Sequence, residues 1–350
     1  MEKTMSPAEP NSLRNPVIAI VGATGAVGMV MAQCLEARRF PLAALRLYAS
    51  PRSAGRAVTF RDQPLPIEAL GEHSFDGIDI ALFSAGGAIS RDFAPLAVRR
   101  GAVVIDNSSA FRMEAPVPLV VPEINAAAIR GHSGIIANPN CVAIIAAMAL
   151  WPLHRANPIR RVHMATYQAA SGAGAAAMAE LHQSTEAYLA ERDFAPRVFP
   201  HPYAFNVFSH NTAIDPATGY NDEETKIMRE MRKIFADDAI RLTATCIRVP
   251  VLRAHCIALD VECERPIAPA AVCEILAAAP GVRIVDDAKR NHFPMPNEAS
   301  GQGDVLVGRI RQDVSDPGGR SVALFIAGDQ LLKGAALNAV QIAEHLLAAP

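Results

Sequence analysis

Val17-Ile18-Ala19-Ile20-Val21-Gly22-Ala23-Thr24-Gly25-Ala26-Val27-Gly28 is the stretch whose reading decides the fold. The first five residues form a short apolar run of strand length, and the glycines that follow stand three apart before a helical stretch from Met29 to Ala37. Glycines at this G-x-x-G-x-x-G spacing let the backbone approach a pyrophosphate that the helix N-terminus attracts. Strand, glycine turn and helix in that order predict the opening of an α/β, doubly wound, Rossmann-like sheet, with the turn from Gly22 to Gly28 as a dinucleotide contact.

The next strand outward, Ala44 to Ala49, ends in Ser50-Pro51-Arg52-Ser53. An NAD site usually offers the ribose 2′-hydroxyl an acidic side chain at this point. Here an arginine lies between hydroxyls, which suits a 2′-phosphate and predicts NADP(H). Further strands are expected at Asp79 to Phe83 and Ala102 to Asp106, joined by a crossover helix from Arg91 to Arg100. Their ends, Ser84-Ala85-Gly86-Gly87 and Asn107-Ser108-Ser109, belong to the rim where ligands bind in such sheets. Arg112, just past that rim, has the geometry to hold a phosphate through two parallel hydrogen bonds, or it faces water.

Ala137-Asn138-Pro139-Asn140-Cys141 precedes a long apolar segment, Val142 to Leu150. Pro139 disfavours helix at Asn138 and Asn140 is a good cap, so Cys141 is expected to open a helix. A helix N-terminus favours thiolate over thiol, which marks Cys141 as a candidate nucleophile in need of a histidine.

Beyond Leu150 the pattern changes to that of an α+β domain. Arg161 to Gln168 alternates like a strand with one wet face, and Ser171-Gly172-Ala173-Gly174 leads into a helix from Ala175 to Arg192. The connection Phe194 to Tyr220 is too long for a plain loop and reads as a functional or interface excursion. Asn221 caps a helix running to Phe235, on which Glu223 and Lys226 share a face and either address one ligand or pair with each other. Leu242 to His255 is strand-like, with Pro250 marking an edge, a bulge or a break. His255 is a candidate acid/base partner for Cys141, in competition with histidines from His73 to His292. The final helix, beginning at Lys333, is rich in small residues and suited to packing back on the nucleotide-binding half.

Composition bounds the function. The chain has 350 residues, of which 51% are hydrophobic and 19% charged, with a net charge of -2. That length and apolar content suit two domains. No block of Lys/Arg favours nucleic acid or a membrane surface, so a small molecule is the expected partner. Met1 to Asn15 is polar, lacks an apolar leader core and is expected to be a flexible tail, and no apolar run reaches spanning length. The six cysteines show no C-x-x-C pair or tight Cys/His cluster, so no metal site is expected, and a reduced cytoplasmic setting fits.

The ordered set of the glycine turn, Ser108-Ser109-Ala110-Phe111-Arg112, Asn138-Pro139-Asn140-Cys141, Gln168 before Ser171-Gly172-Ala173-Gly174, Glu223 to Lys226, Arg248 to His255, and Lys333-Gly334-Ala335-Ala336-Leu337-Asn338 resembles the aspartate-β-semialdehyde dehydrogenase family. The resemblance runs from Pro16 to about Leu347. It implies an NADP-binding domain over residues 16–141, completed by a C-terminal helix over 333–350, and a catalytic and dimerisation domain over 142–332. The implied reaction is reversible, NADP-dependent reductive dephosphorylation of aspartyl-β-phosphate in a homodimer, at the branch to lysine, threonine, methionine and isoleucine.

Carried onto this chain, the resemblance makes Cys141 the nucleophile, His255 the acid/base and Gln168 an orienting group. Arg112 and Lys226 would hold phosphate, while Arg248 and Glu223 would take the substrate's carboxylate and ammonium. Thr24, Ala26, Val27, Ser50, Arg52, Ser53, Ser171, Gly172 and Asn338 fall among the implied cofactor contacts. N-acetyl-γ-glutamyl-phosphate reductase, or a catalytically weakened NADP-binding paralogue, is the alternative. Val142-Ala143 departs from the family's usual Ser-Thr after the cysteine, so two hydroxyls are missing at the start of the catalytic helix.

Overall fold

The computed structural model describes residues 15–348, so all but the last residue of the expected N-terminal tail lies outside the described residues. The first sheet contains β1 (Val17–Val21), β2 (Ala44–Ala49), β3 (Ala57–Phe60), β4 (Gln63–Ala69), β5 (Ile80–Phe83), β6 (Val103–Asp106) and β7 (Ile135–Ala137). Their order is β3-β4-β2-β1-β5-β6-β7, parallel throughout except for the β3–β4 hairpin. The second sheet holds β8 (Ile159–Gln168), β9 (Phe208–Ser209), β10 (Arg241–Arg248), β11 (His255–Cys263), β12 (Val282–Ile284), β13 (Val305–Gln312) and β14 (Ser321–Gly328). It is mixed, in the order β12-β13-β14-β11-β8-β10-β9, with β8 parallel to β10 and antiparallel to β11. The helices are α1 (Ala26–Ala37), α2 (Gly87–Arg99), α3 (Pro122–Asn125), α4 (Cys141–Ala156), α5 (Ala175–Leu189), α6 (Asp222–Phe235), α7 (Pro269–Ala277), α8 (Pro296–Ala299) and α9 (Leu337–Ala348). None of them is long and apolar enough to cross a membrane.

Alternation explains the layers. Ile18 and Ile20 of β1 face one way and pack with α1 and with Ala339, Val340 and Ile342 of α9. Ala19 and Val21 face the other way, into a core shared with α2 and the second sheet. The small-residue C-terminal helix therefore covers the first sheet, as its composition predicts. Helix α4 runs through the larger core, where Ile144, Ile145, Leu150 and Leu153 are fully buried, each contributing about 1.5–3 kcal/mol.

Three boundaries differ from expectation. Helix α1 starts at Ala26 rather than Met29, because the Gly25 carbonyl already accepts from the Met29 N–H. Helix α2 begins at Gly87, earlier than Arg91, since Gly86 at a φ of 90° turns the chain into it directly. The C-terminal element opens as a π-turn over Leu332–Ala336, in which Gly334 N–H donates to the Asp329 carbonyl and Ala336 N–H to that of Leu331. Buried Asp329 fixes this turn by accepting from the Leu331 and Leu332 N–H groups while also taking Arg253. Pro250 stands in the break between β10 and β11.

Candidate active site

The ends of β6 and β7, the start of α4 and the ends of β8 and β10 enclose a cavity of about 320 Å³. Cys141, His255, Gln168, Arg112, Glu223 and Arg248 all line it, together with Val27, Ser171 and Gly172. The structure thus brings the thiol, the imidazole and four of the expected polar side chains to one wall, although they come from distant parts of the chain.

Cys141 is partly buried in the first turn of α4. Asn140 caps that turn, its Oδ1 accepting from Val142 N at 2.8 Å and Ala143 N at 3.3 Å. The expectation of a stabilised thiolate is corrected here. Burial and the nearby Glu223 carboxylate push the thiol up to about 12, outweighing Arg112, Arg248 and the Val142 N–H. Asn140 Oδ1 occupies N–H groups that would otherwise favour the anion, which reduces the contribution of the helix end. Val142 and Ala143 are fully buried and absent from the cavity wall, so the two missing hydroxyls would have faced the core rather than a ligand.

His255 has no exposed surface. Its Nδ1 accepts from the Ala169 N–H at 3.0 Å, which puts the proton of the neutral ring on Nε2. Nε2 has no hydrogen-bond partner among the described residues. Burial, then the Arg248 and His210 charges, hold this histidine well below 6.5, so the resting ring is neutral. Its cavity-facing atom is therefore a donor, so the resting ring is set for the acid half of the expected acid/base role. A Cβ on Gly172 would lie 3.0 Å from Nε2 and Cε1, so the glycine leaves the ring its place.

Glu223 Oε1 accepts from Asn140 Nδ2 at 3.0 Å and Gln168 Nε2 at 3.2 Å. Burial alone would raise its carboxyl, but the nearby His210, these bonds and the Arg248 charge outweigh it and hold the group below the usual range. Gln168 Oε1 in turn accepts from Thr166 Oγ1 at 3.0 Å, which fixes the amide.

Arg112 donates from Nε to the Asn138 carbonyl at 2.9 Å and from Nη2 to that of Asn107 at 2.8 Å. Its Nη1 meets Glu230 Oε1 at 3.1 Å, leaving two of five N–H groups for a ligand. Glu230, which the sequence reading missed, also accepts from the Asn140 N–H at 2.5 Å. The available signal was its position seven residues after Glu223 on the same helix, where the two share a face.

Two expected residues stand apart. Lys226 is partly buried and does not line the cavity. Asn338 is fully buried behind the wall, with Nδ2 donating to the Val120 carbonyl at 2.9 Å and to Asn138 Oδ1 at 2.6 Å. Its Oδ1 accepts from Lys333 Nζ at 2.9 Å, a buried ammonium that also meets Glu123 and Gln341. Asn338 therefore reaches the cavity only through Asn138.

Ser84 lines this cavity and also a second one of about 410 Å³ walled by Gly22, Thr24, Gly25 and Ser50. The glycine turn between them is tight. A Cβ at Gly28 would fall 2.2 Å from the Gly22 carbonyl oxygen, and one at Gly22, whose φ is +88°, would fall 2.5 Å from that of Ser84. These are the close approaches that the turn and helix packing of a dinucleotide site require, so the residues present fit a nicotinamide dinucleotide. Ala26 lines neither cavity, and Arg52 and Ser53 follow Ser50 in a short turn, with Arg52 exposed. Among the described residues no group of three or more His, Cys, Asp or Glu is placed to hold a metal ion.

Two family models match, "Semialdehyde dehydrogenase, NAD binding domain" over residues 17–132 and "Semialdehyde dehydrogenase, dimerisation domain" over residues 150–333. The aspartate-semialdehyde dehydrogenase of a Synechocystis species is 52% identical over 330 residues, covering 94% of this chain and 97% of that protein. The chain belongs to the aspartate-semialdehyde dehydrogenase family. Within that family the Bacillus subtilis enzyme is 44% identical over 337 residues, covering 94% of this chain and 96% of its own. A crystal structure of aspartate semialdehyde dehydrogenase II from Vibrio cholerae, complexed with ASA, superposes with a TM-score of 0.92 at 40% identity, covering 95% and 98% of the two chains. The two-part architecture of the family, a Rossmann-like NAD(P)-binding sheet with an α+β domain, is the one described above.

Proposed function

We propose that this chain is an NADP-dependent aspartate-semialdehyde dehydrogenase that works through a Cys141 thioester. The observation that carries this reading is the shared cavity of Cys141 and His255, into which the unpartnered Nε2–H is directed and beside which the glycine turn lies.

In the direction of aldehyde oxidation, the thiol of Cys141 loses its proton to solvent and the sulfur bonds to the aldehyde carbon. The carbonyl oxygen becomes negative and accepts the Nε2–H of His255, a pre-placed donor of the kind that stabilises developing charge. A nicotinamide dinucleotide held along the Gly22–Gly28 turn would supply the hydride acceptor that the conversion of that carbon to a thioester requires. A phosphate oxygen then bonds to the thioester carbon and the Cys141 sulfur leaves, giving the acyl phosphate. Arg112 holds phosphate with its two remaining N–H groups, and Lys226 adds long-range positive charge rather than a contact in the cavity. Arg248 takes the substrate carboxylate, Glu223 its ammonium, and Gln168 orients the acyl group. Asn338 acts on the nicotinamide end by holding Asn138, while Ser171 and Gly172 border that end.

The active form is a homodimer built through the second sheet, and the product feeds lysine, threonine, methionine and isoleucine synthesis. Domain limits at 16–141 with 333–350, and at 142–332, accord with the two sheets.

The test is direct. Purified protein given NADP, phosphate and aspartate semialdehyde should produce NADPH, and Cys141→Ala should produce none. Absence of NADPH with the intact protein, or an equal rate with N-acetyl-glutamate semialdehyde, would overturn the reading.

A further inference from the structure

We infer that His210 is a positioning residue that sets the selectivity for an α-carboxylate, by fixing the guanidinium of Arg248. The inference rests on Arg248 as the carboxylate site, and it concerns a histidine with no assigned role in the reaction.

His210 is buried and lines the catalytic cavity, carried there by β9 at the end of the long excursion after α5. Its Nε2 lies 2.7 Å from Arg248 Nη2. Arginine has no lone pair to offer, so Nε2 accepts and the ring proton sits on Nδ1. That N–H points to Thr212 Oγ1 at 3.2 Å, and the same hydroxyl oxygen accepts from the Glu223 backbone N–H at 3.2 Å. The chain Arg248–His210–Thr212–Glu223 thus ties together the groups assigned to the carboxylate and the ammonium of one substrate. Burial and the Arg248 charge push this histidine down to about 4, which keeps its acceptor lone pair free near neutral pH.

The rest of the Arg248 environment leaves the histidine as its shortest anchor. Nη1 reaches the Ala169 carbonyl at 3.3 Å, Nε reaches Asn211 Oδ1 at 3.4 Å, and Phe199 covers the guanidinium with its ring centroid 5.4 Å from Cζ. Among the described residues no carboxylate hydrogen-bonds Arg248, so none of them neutralises its charge directly before substrate arrives. A neutral acceptor orients the guanidinium without competing for that charge, which a carboxylate in the same place would do.

The experiment compares aspartate semialdehyde with 3-aminopropanal, which lacks the α-carboxylate. His210→Phe should raise KM for aspartate semialdehyde about 10- to 100-fold, the size of a lost hydrogen bond to a charged group. It should leave kcat within about twofold and KM for phosphate unchanged. His210→Gln, whose Oε1 reaches the place of Nε2, should recover most of the affinity, whereas His210→Asn, whose shorter amide reaches only as far as Nδ1, should not. Rates with 3-aminopropanal should fall much less than those with aspartate semialdehyde in each of these variants.

An unchanged KM in His210→Phe alongside a raised one in Arg248→Leu overturns the inference and keeps the carboxylate site. An unchanged KM in Arg248→Leu overturns both. Equal losses with the two aldehydes also overturn it, since they mean a general loss of the cavity. Should the Phe variant fail to fold, indistinguishable Gln and Asn variants overturn it by themselves.

Discussion

The Cβ that Gly334 lacks would lie 3.0 Å from the Cβ of Cys141. The π-turn that carries Gly334 thus presses against the first turn of α4, with Gln330 Cβ at 3.3 Å and Cys141 Cα at 3.4 Å on the same side. Gly334→Ala must move either Cys141 or the turn, and overpacking of this kind costs about 1–3 kcal/mol. The expected result is a kcat about tenfold or more lower, while NADP affinity holds. Steady-state kinetics with a binding titration would show it, and unchanged kcat would mean that the turn yields freely.

Glu230 joins Arg112 to the Asn140 backbone from a site with 1% exposure. Removing one member of a buried pair leaves the other charge uncompensated. Glu230→Ala should therefore lose about 3–5 kcal/mol of stability in urea unfolding and raise KM for phosphate. Glu230→Gln, which keeps an acceptor, should lose less on both counts.

The raised thiol of Cys141 has a kinetic signature. Below its pKa the thiolate fraction grows tenfold for each pH unit, so alkylation of Cys141 should accelerate about tenfold per unit from pH ~7 to ~9 with no plateau. The measurement is iodoacetamide inactivation in the absence of substrate, corrected by Cys141→Ser. A plateau below about pH 8 would mean a preformed thiolate instead.

For His255 the sign of the pH effect follows from its lowered value. As pH falls below 6.5 the unfolded chain takes up a proton that the folded imidazole refuses, so the stability held above that point is progressively lost. Unfolding midpoints at about pH 7 and pH 5 should differ less in His255→Gln than in the parent protein.

Arg52 tests the choice of dinucleotide. Arg52→Ala should raise KM for NADP about three- to tenfold, a modest loss because the side chain is exposed, and leave KM for NAD unchanged. Equal changes for both would remove the case for a 2′-phosphate contact.

Much of this architecture was legible in the chain because local chemistry determined it. The β1 run and the Asn140 cap formed where their residues predict, and Asn221 even completes a capping box with Glu224, whereas the glycine turn passes into helix already at Ala26. What stayed hidden depends on tertiary placement. Nothing beside Glu230 in sequence announces that its carboxylate meets Arg112 across 118 positions. The free-energy balance at Cys141 was misread for the same reason, because the helix end is local while Glu223 and the surrounding burial are supplied by the fold. Asn338 carried a family-like motif but lies behind the wall, since its amide is occupied by Asn138 and Val120.

The hydrogen bond between Asn338 and Asn138 closes a span of 200 residues, and the helix that carries Asn338 also roofs one face of the first sheet. A ribosome adding about 5–20 residues each second needs roughly 10–40 s to cross that interval. Throughout it the oldest strands hold an apolar face that α1 covers only in part. The nascent polypeptide therefore keeps part of that face open until α9 emerges, and a premature stop anywhere before α9 should yield aggregates rather than a usable nucleotide-binding fragment.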